Sequence, residues 1–529
     1  MTTDHRPPPG SAADLTLSAE DAQARHQQLL DAARPAAVER QHSVGKMTAR
    51  ERIALLLDDA TEVEYGALVT VEEEAGIDPD DAPADGVLTF TGLVDGRPVS
   101  VLANDFTVTG GSVGMAGAKK MLHAGELALR RGMPFIALYD GGGHRIQEMD
   151  SRDFASGGPT PFPDMARLSG WAPQVAAVMG PAFAGVAGMV GMADFVPIVA
   201  GSGTIGIAGP ALVEAATGER LTPEELGGSA VQASHGLVDA QCEDDPSCLA
   251  LIREFLSYLP TNASQAPPVA DCDDPLDRRI PELRDLVPAN RRAAYDIRPL
   301  LTGVLDYGEY LELKAAFAPN AITALGRVGG RPVGVMANQP NSMAGSLDGP
   351  ACDKLARFAS LCDAYGLPIL SFIDTPGLLC GSAAERQQLA SRAGRVMMTL
   401  GHATVPIISV LVRKSYGLGY GAMAGGRTFD AEGTFIWPSA EVSPMGIEGA
   451  VDLVHRRALK QAADPVALRS ELIEKQYRNA SPLRAASGFG VDDVIDPADT
   501  RRCIARVLRV SSERLVHYMP PKRHPVEPL

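Results

Sequence analysis

Val178-Met179-Gly180-Pro181-Ala182-Phe183-Ala184-Gly185-Val186-Ala187 is a run of small and apolar residues that turns on a glycine. It returns as Val412-Arg413-Lys414-Ser415-Tyr416-Gly417-Leu418-Gly419-Tyr420-Gly421 at a shift of 234 residues. The same shift carries Gly92–Asn104 onto Gly326–Asn338 with nine of thirteen pairs identical. It also carries Gly111 to Gly345, Lys120 to Lys354, Gly132 to Gly366, Pro134 to Pro368, Asp140 to Asp374 and Gly185 to Gly419. The chain is therefore read as two copies of one α/β domain, each with a glycine-bearing turn in register.

At 529 residues the chain is too long for one core, and two units of roughly 250 residues lie within the usual range. The divisions expected are an N-terminal arm over 1–34, a first domain over 35–270, a linker over 271–291 rich in proline and charge, and a second domain over 292–529. A net charge of −17 argues against nucleic acid and anionic membranes as partners. Seven cysteines with no C-x-x-C pair support neither a zinc ribbon nor a disulfide framework, which fits the cytoplasm, and no metal is expected. The apolar run from Val175 to Ala200 is broken by Pro181, Pro197 and four glycines, so it reads as buried core rather than as a membrane span. The first ten residues lack a signal-peptide pattern, and both they and the proline-rich tail after Met519 read as irregular.

Along the chain, Ser18 to Leu57 has a helical, charged pattern. Each copy then opens with a β-hairpin, in the first around Asp95-Gly96. Met115 to Arg131 has apolar residues on one helical face, stops at Gly132 and leads to the buried strand Pro134–Asp140; Cys352 to Tyr365, Gly366 and Pro368–Asp374 repeat that order. A glycine-capped helix followed by an apolar strand is a right-handed crossover, and ligands bind beyond the ends of such strands. There lie Gly141-Gly142-Gly143-His144-Arg145 in one copy and Thr375-Pro376-Gly377 in the other.

The two turns carry no nucleophile, acid or base. Each is a small-residue bend entering an apolar helix, which presents backbone N–H groups at a helix N-terminus. Such amides stabilise an oxyanion, for instance a thioester enolate, at roughly 3 kcal/mol per donor in the transition state. Lys119-Lys120 are candidates for the phosphates of coenzyme A, with Arg145 as a substrate-orienting or ion-pairing residue. His144 reads as a surface residue of the bend. Gly201-Ser202-Gly203-Thr204-Ile205-Gly206 matches a dinucleotide fingerprint only in letters, because no first strand and helix of a domain flank it.

Asp140-Gly141-Gly142-Gly143-His144-Arg145-Ile146-Gln147-Glu148, Asn104–Ser112, Thr222–Gly228, Lys46–Arg52, Asn338-Gln339-Pro340, Ile373–Gly377 and Trp437-Pro438 together resemble the signature segments of the β subunits of biotin-dependent acyl-CoA carboxylases. The resemblance spans about Pro35 to Val451. It implies two tandem crotonase-like domains of β-β-α superhelix type and a carboxyltransferase moving CO2 from carboxybiotin to the α-carbon of an acyl-CoA. It implies that amides matching Ala184-Gly185 hold the thioester enolate and those matching Leu418-Gly419 the ureido oxygen of biotin, whose own nitrogen serves as base. Gly110, Gly111, Gly142, Gly143, Arg145, Lys119 and Lys120 are the implied acyl-CoA contacts, and Pro376, Gly377, Tyr416, Tyr420, Gly421, Met445 and Gly446 the implied biotin contacts. Implied partners are separate biotin carboxylase and biotin carrier subunits, since the chain has no Met-Lys-Met acceptor, and further copies of itself in a homo-oligomer, a hexamer built as a trimer of dimers.

The sequence departs from the family in three places. The first turn has one glycine where two are usual, Gln232 stands where a histidine is common, and Gly421 stands where propionyl-type members carry an aspartate, which suggests a roomier acyl pocket. Two other readings stay open: a decarboxylase or transcarboxylase subunit running the chemistry in reverse, and a non-catalytic CoA-binding homologue.

Overall fold

The computed structural model describes residues 18–71, 76–78, 81–145, 148, 155, 160–512, 514, 526, 527 and 529. The irregular N-terminal lead up to residue 17, the tail from 515 to 525 and the signature residues Ile146 and Gln147 lie outside the described residues.

The helical pattern expected from Ser18 to Leu57 is divided into Ala19–Gln28, Pro35–Ser43 and Ala49–Leu56. The first and third begin with reciprocal capping boxes, Ser18 with Asp21 and Thr48 with Glu51, which satisfy two otherwise unpaired N–H groups each.

Among the described residues of the first half, eight strands follow: β1 (Val63–Glu64), β2 (Val87–Val94), β3 (Arg97–Asn104), β4 (Phe135–Gly141), β5 (Gln174–Phe183), β6 (Pro197–Val199), β7 (Thr204–Gly206) and β8 (Ala240–Cys242). Their order is β1-β2-β3-β4-β5-β6-β8, with β7 paired to the far end of β5. The second half repeats this with β9 (Tyr310–Leu313), β10 (Ala321–Val328), β11 (Arg331–Asn338), β12 (Ile369–Thr375), β13 (Ile407–Tyr416), β14 (Gly433–Ile436), β15 (Glu441–Ser443) and β16 (Asp493–Val494), ordered β9-β10-β11-β12-β13-β14-β16 with β15 paired to β13. The letters of the apparent dinucleotide fingerprint run into β7, a strand and not a helix.

Both hairpins close on two residues of positive φ, Asp95-Gly96 (50° and 74°) and Gly329-Gly330 (61° and 77°), the conformation that matches strand twist. The crossover helices Met115–Arg131 and Gly349–Tyr365 end on left-handed glycines, Gly132 and Gly366. On the first, Gly117, Ala118, Met121, Ala124, Gly125 and Ala128 form the buried stripe, the three-and-four spacing that made the helix readable.

Strand registers show that the internal repeat is not gapless. β4 pairs Ile136 with Val175, and β12 pairs Leu370 with Ile408. Position 136 maps to 370 by 234, but 175 maps to 408 by 233. One residue is missing between the fourth and fifth strands of the second copy, so the turns after β5 and β13 correspond at 233.

The two halves share a seam. One hydrophobic cluster contains Phe255, Leu256 and Tyr258 from the first half together with Leu311, Phe358 and Cys362 from the second. Polar bonds stitch it: Arg357 Nη2 donates to the Ala193 carbonyl at 2.6 Å, the Tyr365 hydroxyl donates to Asp194 at 2.6 Å, and Lys314 pairs with Asp239 at 3.1 Å. The segment over 271–291 is pinned to the second half, through Arg279 to Asp499 at 2.8 Å and through Ile280 and Leu283 in its core.

Candidate active site

β5 ends at Phe183 and is followed by Ala184, a non-glycine residue at φ +57° and ψ −125°, from which the helix Gly185–Met192 departs. The Ala184 N–H donates to the Gly206 carbonyl of β7 at 3.1 Å, and the Ala187 N–H turns back to the Ala184 carbonyl at 3.0 Å. Between them, the N–H groups of Gly185 and Val186 have no acceptor among the described residues. Of the expected pair Ala184-Gly185, only the Gly185 N–H is left without an acceptor among the described residues, because the sheet already consumes the Ala184 donor, and Val186 offers the next such N–H.

In the second copy the positive φ falls on Gly417 (+57°), 233 residues after Ala184, and opens the helix Gly417–Ala422. Leu418 and Gly419 lie in its first turn, where N–H groups have no helical acceptor. The N–H groups in register at a shift of 233 are thus those of Gly185-Val186 and Leu418-Gly419. Leu418 is exposed, so the second turn opens to solvent.

The backbone around each turn is compressed in the same way. A Cβ at Gly111 would lie 2.1 Å from the Asp140 carbonyl oxygen, and one at Gly345 2.3 Å from that of Asp374. A Cβ at Gly419 would lie 2.7 Å from the Gly377 Cα, so only glycine lets the second turn rest on the bend after β12. On the first turn the packing is looser: a Cβ at Gly185 would stand 3.9 Å from His144 Cδ2 and 4.0 Å from Phe162 Cζ.

Beneath each turn sits a buried aspartate. Asp140 is clamped by Lys46 at 2.6 Å and Arg52 at 2.8 Å, and Arg52 also holds Asp245 at 2.7 Å. Asp374 receives Arg413 Nε at 2.9 Å, the Tyr295 hydroxyl at 2.7 Å and the Lys414 N–H at 3.0 Å. The Lys46–Arg52 signature segment is thereby explained as a brace for the strand end and not as a substrate contact.

Several candidate cations are likewise committed to the fold. Lys120 is buried; its ammonium donates to the Val87 carbonyl and to that of Ala84 at 3.3 Å, and burial pushes its pKa down to about 8. Its repeat partner Lys354 donates to the carbonyls of Lys314, Phe317 and Ala321 at 2.7–2.9 Å, with its pKa pushed by burial to about 7. Arg145 is spent on Asp85 (2.8 Å), Glu148, Thr109 (3.1 Å) and the Ser112 carbonyl (3.1 Å). Lys120 and Arg145 are therefore corrected from acyl-CoA contacts to internal struts; Lys119 is exposed on the crossover helix. Lys120→Met is expected to cost about 1–3 kcal/mol through the unsatisfied carbonyls, read as a lower urea midpoint, while KM for acyl-CoA stays within about twofold; a rise in KM with stability unchanged would restore the phosphate-binding role.

Of the remaining first-half candidates, Gly110 is exposed and Gly142-Gly143 form the bend against the first turn, a Gly143 Cβ falling 3.3 Å from the Phe183 carbonyl oxygen. In the second half, Gly377 and the Pro444 carbonyl flank the second turn, which brings Pro376, Met445 and Gly446 to it. The Tyr416 hydroxyl donates to Glu441 at 2.5 Å, and Glu441 in turn pairs with Arg291 at 2.7 Å, so Tyr416 backs the turn from inside. The Tyr420 ring lies on the Gly425-Gly426 backbone, and burial pushes its hydroxyl up to about 12. A Cβ at Gly421 would meet nothing within 4 Å.

Comparison with known proteins gives the family of this duplicated fold. The carboxyl transferase domain model matches residues 40–526. The chain belongs to the carboxyl transferase family. This carboxyltransferase is 41% identical over 495 residues to the carboxyltransferase subunit of propionyl-CoA carboxylase from Haloferax mediterranei, covering 92% of this chain and 95% of that one. It is 38% identical to the alpha subunit of methylmalonyl-CoA decarboxylase from Propionigenium modestum, with 93% and 95% covered. Its structure matches the transcarboxylase 12S hexamer solved with methylmalonyl-coenzyme A and methylmalonic acid bound, at a TM-score of 0.89 and 38% identity over 97% of this chain and 99% of that chain. Both halves of this carboxyltransferase are crotonase-like, as the resemblance implied. No helix among its described residues is long and apolar enough to cross a membrane, and all seven cysteines are free.

Proposed function

We propose that this carboxyltransferase is the subunit of a cytoplasmic acyl-CoA carboxylase that carries the acyl-CoA and the carboxybiotin on its two turns, with biotin borne by a separate carrier subunit and charged by a biotin carboxylase subunit. The observation that carries the reading is the pair of turns in structural register, each with two N–H groups that have no acceptor among the described residues. N–H groups left without a protein acceptor at the mouth of a turn are placed to receive a developing negative charge. Gly185 and Val186 hold the thioester oxygen as it becomes an enolate; Leu418 and Gly419 hold the ureido oxygen of biotin. When bound, carboxybiotin supplies the CO2 and a ureido nitrogen that can take a proton. The donor set and the open surface at Gly421 and Gly446 suit a small cyclic urea. The transcarboxylase 12S assembly supports a hexameric arrangement here too.

The test is carboxylation of an acyl-CoA panel by the chain together with its carboxylase and carrier partners, using labelled bicarbonate and ATP. Label is expected in the carboxyl group of at least one acyl-CoA, and fixation into none would overturn the reading. A second reading, decarboxylation of a carboxyacyl-CoA onto biotin, is supported by the similarity to the Propionigenium decarboxylase subunit. It predicts net carboxylation of carrier from methylmalonyl-CoA outpacing the forward direction.

A further inference from the structure

The family resemblance assigns no protein side chain to proton transfer at the acyl α-carbon, yet the structure sets a histidine beside the first pair of amides. His144 Cδ2 is 3.9 Å from where a Gly185 Cβ would stand. Backbone bonds fix it on both sides: the Val113 N–H donates to the Gly143 carbonyl at 2.8 Å, and the Arg145 N–H donates to the Val113 carbonyl at 2.8 Å. Gly143, at φ +94°, swings the chain back toward the turn, where its own Cβ would stand 3.9 Å from the Ala184 Cβ. The residue is exposed, so a ligand on the turn can reach the ring.

The duplication supplies an internal comparison. Position 144 maps to Leu378, whose N–H stands 3.1 Å from where a Gly419 Cβ would be. The fold therefore does not require a titratable side chain at this place. A histidine stands only at the turn assigned above to the thioester, and a leucine at the one assigned to biotin.

The charges around the ring are neutralised elsewhere. Arg145, next in sequence, is held by Asp85 and Glu148; Asp140, at the end of the same strand, is held by Lys46 and Arg52; the facing helix brings Phe162. Although the residue is exposed, the protein packed around it desolvates the His144 imidazole and holds it below its ordinary value, opposed by a hydrogen bond with the Val113 backbone, so the neutral, proton-accepting form prevails at pH 7.

We propose that His144 is a further catalytic residue, and that its imidazole exchanges the α-proton of an acyl-CoA thioester with solvent without any carboxylated carrier. The step balances within the site: the Cα–H bond breaks, its proton joins the imidazole, and the electron pair moves to the thioester oxygen held by the Gly185 and Val186 N–H groups. The return transfer delivers a solvent-derived proton to the α-carbon. The inference rests on the assignment of the first turn to the thioester.

The experiment uses the purified full chain in its native oligomer, incubated in D2O with acetyl-CoA or propionyl-CoA and no biotin protein, with α-deuterium read by mass spectrometry. Incorporation at least tenfold above the buffer rate is expected. His144→Ala and His144→Gln should each lower it at least tenfold while keeping the oligomer and the melting temperature of the parent. Exchange no faster than buffer, or equal exchange in either folded variant, would overturn the proposal. Carrier-dependent carboxylation measured on the same preparation separates the outcomes: transfer without exchange sinks His144 alone, and loss of both sinks the assignment of the turn as well.

Discussion

Gly185→Pro is expected to lower kcat for carboxyl transfer by about 100- to 1,000-fold, the usual effect of deleting one oxyanion donor. Proline is tolerated at the first helical position, where its missing N–H breaks no helical bond, so the helix Gly185–Met192 keeps its own bonds. Gly185→Ala is the companion variant. It retains the N–H, and its Cβ meets His144 and Phe162 only at ordinary contact distance, 3.9 and 4.0 Å. Steady-state kinetics at saturating acyl-CoA distinguish a donor role from a packing role: the alanine variant should lose far less activity than the proline variant, and equal losses would mean that the turn needs glycine only for space.

Asp140→Ala should be the most destabilising single change beneath the site. It strips the partner from Lys46 and leaves Arg52 with Asp245 alone, in a place where Asp140 itself has no solvent exposure. Breaking one side of a buried ionic cluster costs about 3–5 kcal/mol because the remaining charges stay desolvated. The expected result is a large fall in the denaturant midpoint, or failure to accumulate folded protein. Asp374→Ala should act in the same direction, since Arg413 loses its carboxylate there. A folded Asp140→Ala protein of parental stability would show that water reaches the cluster.

Much of the architecture was legible because its signals are local. Two-residue hairpins, crossover helices with a glycine stop and the buried strands after them follow from backbone conformations that few residues adopt. The duplication was legible from Gly92–Asn104 and its copy, whose identities lie in strands packed alike in both halves. The one-residue slip was not, since β5 and β13 share little beyond apolar character and Gly185 falls opposite Gly419 by coincidence when no gap is allowed. With the slip included, Gly185-Val186, and not Ala184-Gly185, stand opposite Leu418-Gly419.

The misplaced cations had a readable signal. Lys120 and Lys354 recur in both copies although the copies are assigned different ligands, and a residue shared by both turns is more economically explained by the fold than by either ligand. Spacing agreed, for Lys120 lies with Gly117, Met121 and Ala124 on the buried stripe. Arg145 gave no such signal, because position 379 is Leu379 and its acidic partners Asp85 and Glu148 are brought together only by folding. His144 was passed over for the same reason: its neighbour Gly185 lies forty-one residues on (185 − 144), and nothing local announces the approach.

The seam between the halves bears on whether either can stand alone. Phe255 and Phe358 belong to one apolar cluster, and Arg357 from the second copy braces the carbonyls just beyond the helix that leaves the first turn. Separating the halves would bare that cluster on both products and free the helix it supports, so each half is expected to depend on the other for its fold.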